Sequence, residues 1–394
     1  MTKLEKKRKI ALRKVYNQRT LEDWVIILYY IYKEHNITCG PFDLWLQVVN
    51  DASQLGETIR REIIRTKFPS EVNIYTQLAR LFCRISAFIG RYVYDPHSIG
   101  NNDPIGKLLT KNPLDDYISG EEKYEKWLLL KYPGACPTCG NRPCICAAYR
   151  NIMENRENSE YDVFWRKNKS NFLTEKQKYH RTEDGFSQNT VKMYAANIDS
   201  WVDMFSEIYA SGHIEVSLES VGFHFLEEVG EVSDGILCFD ELYKYKKKLG
   251  IYSGKRINLH KIVISRAQQD PKFSKFLKEY QNDYISDKAH NLSAIALNFL
   301  LYINMTHVKE ELVDVFSWMC AILNKIKATS RHWNPQGRSQ SLSDALHQRY
   351  QLNDGSVGCS YCNNAICSSK CLISSTARKN IENRTKKLDH HFFS

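Results

Sequence analysis

Apolar residues recur at helical spacing along eight stretches, 21–35, 43–66, 74–93, 198–210, 218–247, 272–285, 288–304 and 306–328. Residues three and four apart share one face of an α-helix, so each stretch predicts a helix with a core-facing side. Strand-like alternation is scarce. Gly40-Pro41, Pro69-Ser70, Asp95-Pro96 and Asp270-Pro271 interrupt the pattern where loops are expected. The fold class that follows is mainly α. No apolar run approaches the ~20 residues of a membrane-spanning helix, so no membrane partner is expected. The opening segment MTKLEKKRKIALRK is basic with no apolar stretch behind it, unlike a secretory leader, and a cytoplasmic location is expected.

The pattern repeats. Residues 21–57 lie over 198–234 without a gap, 177 positions apart. Trp24 meets Trp201, Val25 meets Val202, and Ile31-Tyr32 meets Ile208-Tyr209. Leu44, Leu46, Val48 and Val49 meet Val221, Phe223, Phe225 and Leu226. Each half then carries another apolar helix and ends on the same C-x2-C-x4-C motif. A duplication changes the reading of the whole chain. The expected organisation is a basic segment at 1–20, a first helical repeat at 21–150, a polar linker at 151–195, a second repeat at 196–375 and a polar tail at 376–394.

Composition narrows the class. The 394 residues are 43% hydrophobic and 25% charged, which excludes global disorder. Four of the 12 cysteines, Cys39, Cys83, Cys238 and Cys320, stand alone in apolar stretches and read as small buried hydrophobes. The other eight form two knuckles, at 136–146 (Cys136, Cys139, Cys144, Cys146) and at 359–371 (Cys359, Cys362, Cys367, Cys371). Four thiolates within such short loops can surround a tetrahedral ion. Disulfides suit an oxidising compartment, which nothing here signals. An iron–sulfur cluster is a further thiolate-held alternative, but its common spacings differ. Two structural Zn2+ ions fit the spacing. Zinc held by four thiolates carries a net −2, so two sites lower the formal charge of +10 to about +6.

Carboxylates supply the other candidate chemistry. In LEEVGEVSDG, Glu228 and Glu231 are three apart on one helical face, with Glu227 adjacent. In VKEELVDVFSWM, Glu311 and Asp314 repeat the spacing on a helix that is otherwise apolar. Acidic pairs at this spacing also occur on solvated faces. Two such pairs, each embedded in an apolar helix where burying charge is costly, point instead to a shared hard cation, Mg2+ or Mn2+.

These two motifs resemble those of the MazG-type all-α nucleoside triphosphate pyrophosphohydrolases, whose signature is E-E-x-x-E followed by E-x-x-D on the next core helix. The resemblance covers 198–240 and 306–331. It implies Glu228, Glu231, Glu311 and Asp314 as magnesium ligands and Glu227 as a water-orienting catalytic residue. The implied enzyme cleaves an NTP or dNTP to the monophosphate and pyrophosphate, with nucleoside triphosphate as its substrate. Lys325, Lys327 and Arg331 follow the second motif, about where the family often places basic residues, and are candidates for the substrate phosphates. Since the family works as dimers, the resemblance implies that the two repeats form a pseudo-dimer of helical bundles, and a homodimer is a further candidate partner. The chain departs from the family in its insert, about 241–304, and in its knuckles. In the first repeat, Asn50, Asp51, Gln54, Gln77 and Arg80 stand where the second has Glu227, Glu228, Glu231, Glu311 and Asp314, so one working site per chain is expected. The alternative function is a non-enzymatic nucleotide sensor or a zinc-knuckle protein binding nucleic acid, which the positive charge permits.

Overall fold

The structure, a computed structural model, describes residues 3–66, 71–91, 124–132, 134, 136, 144, 196–209, 216–251, 257–270, 273–274, 288–333 and 340–367. The linker, the tail, Cys139, Cys146, Cys371, the Arg331 side chain and most of 272–285 lie outside the described residues. What is described is mostly helical, with no strand and a single isolated bridge between Gln351 and Val357. No described helix is long and apolar enough to cross a membrane. The helices are α1 (Lys3–Arg13), α2 (Leu21–Ile31), α3 (Lys33–Asn36), α4 (Pro41–Thr66), α5 (Glu71–Ile89), α6 (Tyr124–Lys131), α7 (Ile198–Ile208), α8 (Leu218–Ile251), α9 (Ile257–Gln268), α10 (Lys288–Trp333) and α11 (Leu342–Tyr350). They divide between two compact units, Met1–Glu227 with Val315–Ser394, and Glu228–Asp314.

In the larger unit α2 is apolar on nearly every side and buries ten of its eleven residues, as a helix enclosed by neighbours must. It packs against α1, α5 and α6, while α4 and α11 pack against α5. Thr20 starts α2 with a reciprocal capping box to Asp23, and Asn197 starts α7 by accepting from the Ser200 amide. Both helices end on a tyrosine of nearly the same backbone geometry, Tyr32 at φ −110° and ψ 16° and Tyr209 at φ −106° and ψ 19°. Under the 177-residue offset the starts of α2, α4, α7 and α8 coincide in pairs, as do the ends of α2 and α7. Burial follows the same register. Trp24 and Trp201 are fully buried, as are Val48 and Phe225, whereas Leu46 and Phe223 are both exposed.

Several elements differ from the sequence expectation. The run at 21–35 breaks at Tyr32 into α2 and α3. The runs at 288–304 and 306–328 form one helix, α10, along which the Asn304 side chain donates across to the Gly235 carbonyl of α8. The insert is thus partly an extension of α8 and α10. The basic N-terminal segment forms α1, tied to α2 by Lys7–Glu22 (3.2 Å) and Lys14–Asp23 (2.6 Å). Helices α6, α9 and α11 lie outside the expected stretches; α6 and α11, of 8 and 9 residues, are too short for a helical period to stand out. Cys83 and Cys320 are buried, but Cys39 and Cys238 are only partly so. Cys39 lies 3.7 Å from His35 Nε2, and Cys238 accepts from Arg266 at 3.9 Å.

Candidate metal centres

In the smaller unit α8 and α10 approach closely at Gly235. A Cβ there would lie 2.5 Å from Val308 Cγ2, so only glycine admits this separation. Asn304 Nδ2 fastens the crossing by donating to the Gly235 carbonyl at 2.6 Å. Glu231 and Glu228 lie one and two turns before the crossing on α8, and Glu311 and Asp314 one and two turns after it on α10. One oxygen each from Glu228, Glu231 and Glu311 lies within 4.8 Å of the others. Glu311 is 8% exposed, and His307 Nδ1 stands 3.1 Å from its Oε1. Burial, the charge of Asp314 and a hydrogen bond with Glu311 push the Glu228 carboxyl up to about 8. Carboxylates crowded in this way are relieved by a proton or by a cation. An all-oxygen donor set suits a hard divalent ion. Glu227 stands apart, exposed, with Oε2 3.1 Å from His224 Nδ1.

The aligned positions on α4 and α5 carry a different set of residues. Asp51, at the position of Glu228, is 1% exposed and meets Arg80 Nη2 at 2.6 Å and Arg84 Nε at 3.4 Å. Gln54, at the position of Glu231, accepts from Arg80 Nη1 at 3.2 Å. Arg80 itself replaces Asp314. Its guanidinium therefore satisfies the same α4 positions that are acidic on α8, and this arrangement offers no open set of oxygens to a divalent ion.

The second knuckle gathers sulfur ligands. Single Sγ atoms of Cys359, Cys362 and Cys367 lie within 4.8 Å of one another. The chain turns tightly here: the Cys359 amide donates to the Asn364 carbonyl at 2.8 Å and the Asn363 amide to the Cys359 carbonyl at 3.0 Å. Asn363 takes the left-handed conformation at φ 59°, where asparagine is among the few tolerated residues. Gly358 is also required, since a Cβ would sit 2.5 Å from the Asn364 carbonyl oxygen and 2.7 Å from Leu352 Cδ1. A hydrogen bond from the Cys367 side chain, with backbone amides of Cys362 and Tyr361 and the Tyr32 hydroxyl, lowers the Cys359 thiol to about 5. A thiol poised as thiolate among two others is ready to bind a soft or borderline metal. In the first knuckle, Cys136 and Cys144 are buried.

Of the candidate phosphate contacts, Lys327 pairs with Asp203 of α7 at 3.3 Å, and Lys325 is half-buried. Both follow Asp314 by about three turns of α10. Residues not singled out from sequence are His307, Asn304 and Gly235. His307 was signalled by its spacing four residues before Glu311, and Gly235 by a glycine inside a helical run. No family model, curated protein or solved structure gives a significant match to this chain.

Proposed function

We propose that the chain is a metal-dependent nucleoside triphosphate pyrophosphohydrolase with one working site, formed by Glu228, Glu231, Glu311 and Asp314. The supporting observation is the convergence of these acids at the α8–α10 crossing, crowded enough to lift Glu228 to about 8. Their order along the chain matches the resemblance to MazG-type enzymes. A bound Mg2+ or Mn2+ would neutralise phosphate oxygens and acidify an attacking water. The chain's own part is to hold the carboxylates at this spacing, to steady Glu311 through His307, and to exclude charge elsewhere from the apolar flanks of α10. Phosphoryl chemistry of this kind depends mainly on positioning and charge stabilisation. The Arg80–Asp51–Gln54 arrangement supports a single site per chain.

The reading extends to the architecture. The chain is two copies of one helical unit, supported by coincident helix boundaries and matched burial. The knuckles hold two structural Zn2+ ions, supported by the thiolate geometry at Cys359, Cys362 and Cys367.

The test is incubation with a panel of NTPs and dNTPs in Mg2+ or Mn2+, with separation of products. Monophosphate plus pyrophosphate is expected, reduced at least 100-fold in Glu228→Gln and Glu311→Gln proteins that retain their helical circular dichroism. Absence of turnover across the panel, with tight salt-sensitive binding of nucleic acid, would replace this reading by the non-enzymatic one.

A further inference from the structure

The knuckles do more than hold a metal. The amide of Cys367, third cysteine of the second knuckle, donates to the carbonyl of Ile31 at 2.6 Å. Ile31 ends α2, in the first copy. The amide of Cys144, third cysteine of the first knuckle, donates to the carbonyl of Ile208 at 2.5 Å, and Ile208 ends α7, in the second copy. Ile31 and Ile208 occupy the same position under the 177-residue offset. One contact is therefore made twice, and each time it runs from one copy's knuckle to the other copy's helix. The last carbonyls of an α-helix have no partner within the helix. A knuckle amide supplies one here.

The exchange extends to the residues before each knuckle. The Tyr350 hydroxyl bonds Cys83 of α5, and the Tyr132 hydroxyl lies 3.3 Å from Ser317 Oγ of α10. Cys83 and Ser317 are matched positions when Gln77 is set on Glu311. Tyr32, directly after Ile31, also bonds the Cys359 sulfur. The second knuckle thus grips the end of α2 both through its backbone and through a ligand thiolate, which couples the shape of the metal loop to the helix it caps.

We propose that the knuckles are zinc-dependent clasps, the Cys359, Cys362 and Cys367 loop seated on the end of α2 and Cys144 on the end of α7, so that zinc holds the two copies together. This rests on the readings of the chain as two copies and of the knuckles as zinc sites, and not on the nucleotide chemistry.

The experiment uses the full chain with a specific protease site inserted in the polar stretch 151–195. Zinc is counted by elemental analysis, then released with an organomercurial thiol reagent in the presence of a chelator. Before release, about two zinc per chain are expected, and the nicked halves should co-elute in gel filtration. After release they should separate, and amide exchange at Cys367 and across Tyr32–Asn36 should quicken more than tenfold. Exchange across 304–312 serves as the control and should change less than twofold. A Cys362→Ser protein should lose one zinc and show the faster exchange around Tyr32. If that variant does not fold, cobalt-exchanged native protein, with the absorption bands of tetrahedral thiolate, supplies the same readout at its release. Absence of zinc overturns the metal reading and the clasp together. Zinc present, with halves that stay together and exchange at Tyr32–Asn36 that stays slow after its release, overturns the clasp alone. Neither outcome depends on whether any nucleotide is hydrolysed.

Discussion

Glu228 carries the most informative charge in the molecule. Its carboxyl is lifted from 4.5 to about 8, first by burial and then by Asp314 and Glu311. A raised carboxyl binds a proton in the folded state that the unfolded chain has already released. Without metal, the stabilisation from this group is fully present below about pH 4.5 and is lost as pH rises through about 8. Thermal melts in chelator should therefore show stability falling over this window, added Mg2+ should reverse the fall, and Glu228→Gln should flatten it. Cation and proton compete for the same oxygens, so Mg2+ affinity measured by calorimetry should rise with pH up to about 8 and release protons. On α4, Asp51 has the opposite surroundings, beside Arg80 and Arg84. Replacing Arg80 by alanine leaves a buried carboxylate with Arg84 as its remaining cationic partner, and should cost about 1–3 kcal/mol in denaturant titrations. The acids and their replacements were legible from residue spacing alone. That Arg80 would turn back onto Asp51 and Gln54 was not, because spacing gives the face of a helix but not the partner across from it.

Among the elements, α8 and α10 show how backbone contact decides side-chain chemistry. Their crossing depends on Gly235, where a methyl group would meet Val308. A Gly235→Ala protein should lose about 1–3 kcal/mol of stability through overpacking. It should also bind Mg2+ at least tenfold more weakly, since the carboxylates one and two turns away move apart with the helices. Calorimetry and chemical denaturation read the two effects separately. Periodicity revealed these helices but misjudged their ends. The runs at 288–304 and 306–328 read as two helices, yet α10 runs through both, with the Asn304 side chain donating to the Gly235 carbonyl. The opposite error occurred at Tyr32, where apolar spacing continues while the backbone turns out of the helix. Helix α11 had a readable signal, the Ser341/Asp344 capping box, but at 9 residues it is too short for a helical period to stand out.

At the scale of the whole molecule, contacts join positions far apart in the sequence. Phe82 and Phe316 occupy matched positions and meet each other, ring centroids 6.0 Å apart, among fully buried residues. Either one changed to alanine should cost about 3–5 kcal/mol. Because the rings touch, the double variant should fall short of the sum by more than 0.5 kcal/mol in a double-mutant cycle. The exchanged contacts also have a consequence for synthesis. The Tyr16 hydroxyl bonds Asp344, 328 residues away, and the carbonyl ending α2 waits for the amide of Cys367. Domains generally fold in the order in which they emerge from the ribosome. Here the end of α2 lacks its cap, and Tyr16 its partner, until nearly the entire chain has been made. A nascent chain halted before residue 340 should therefore show faster amide exchange just after α2, across Tyr32–Asn36, than the finished chain.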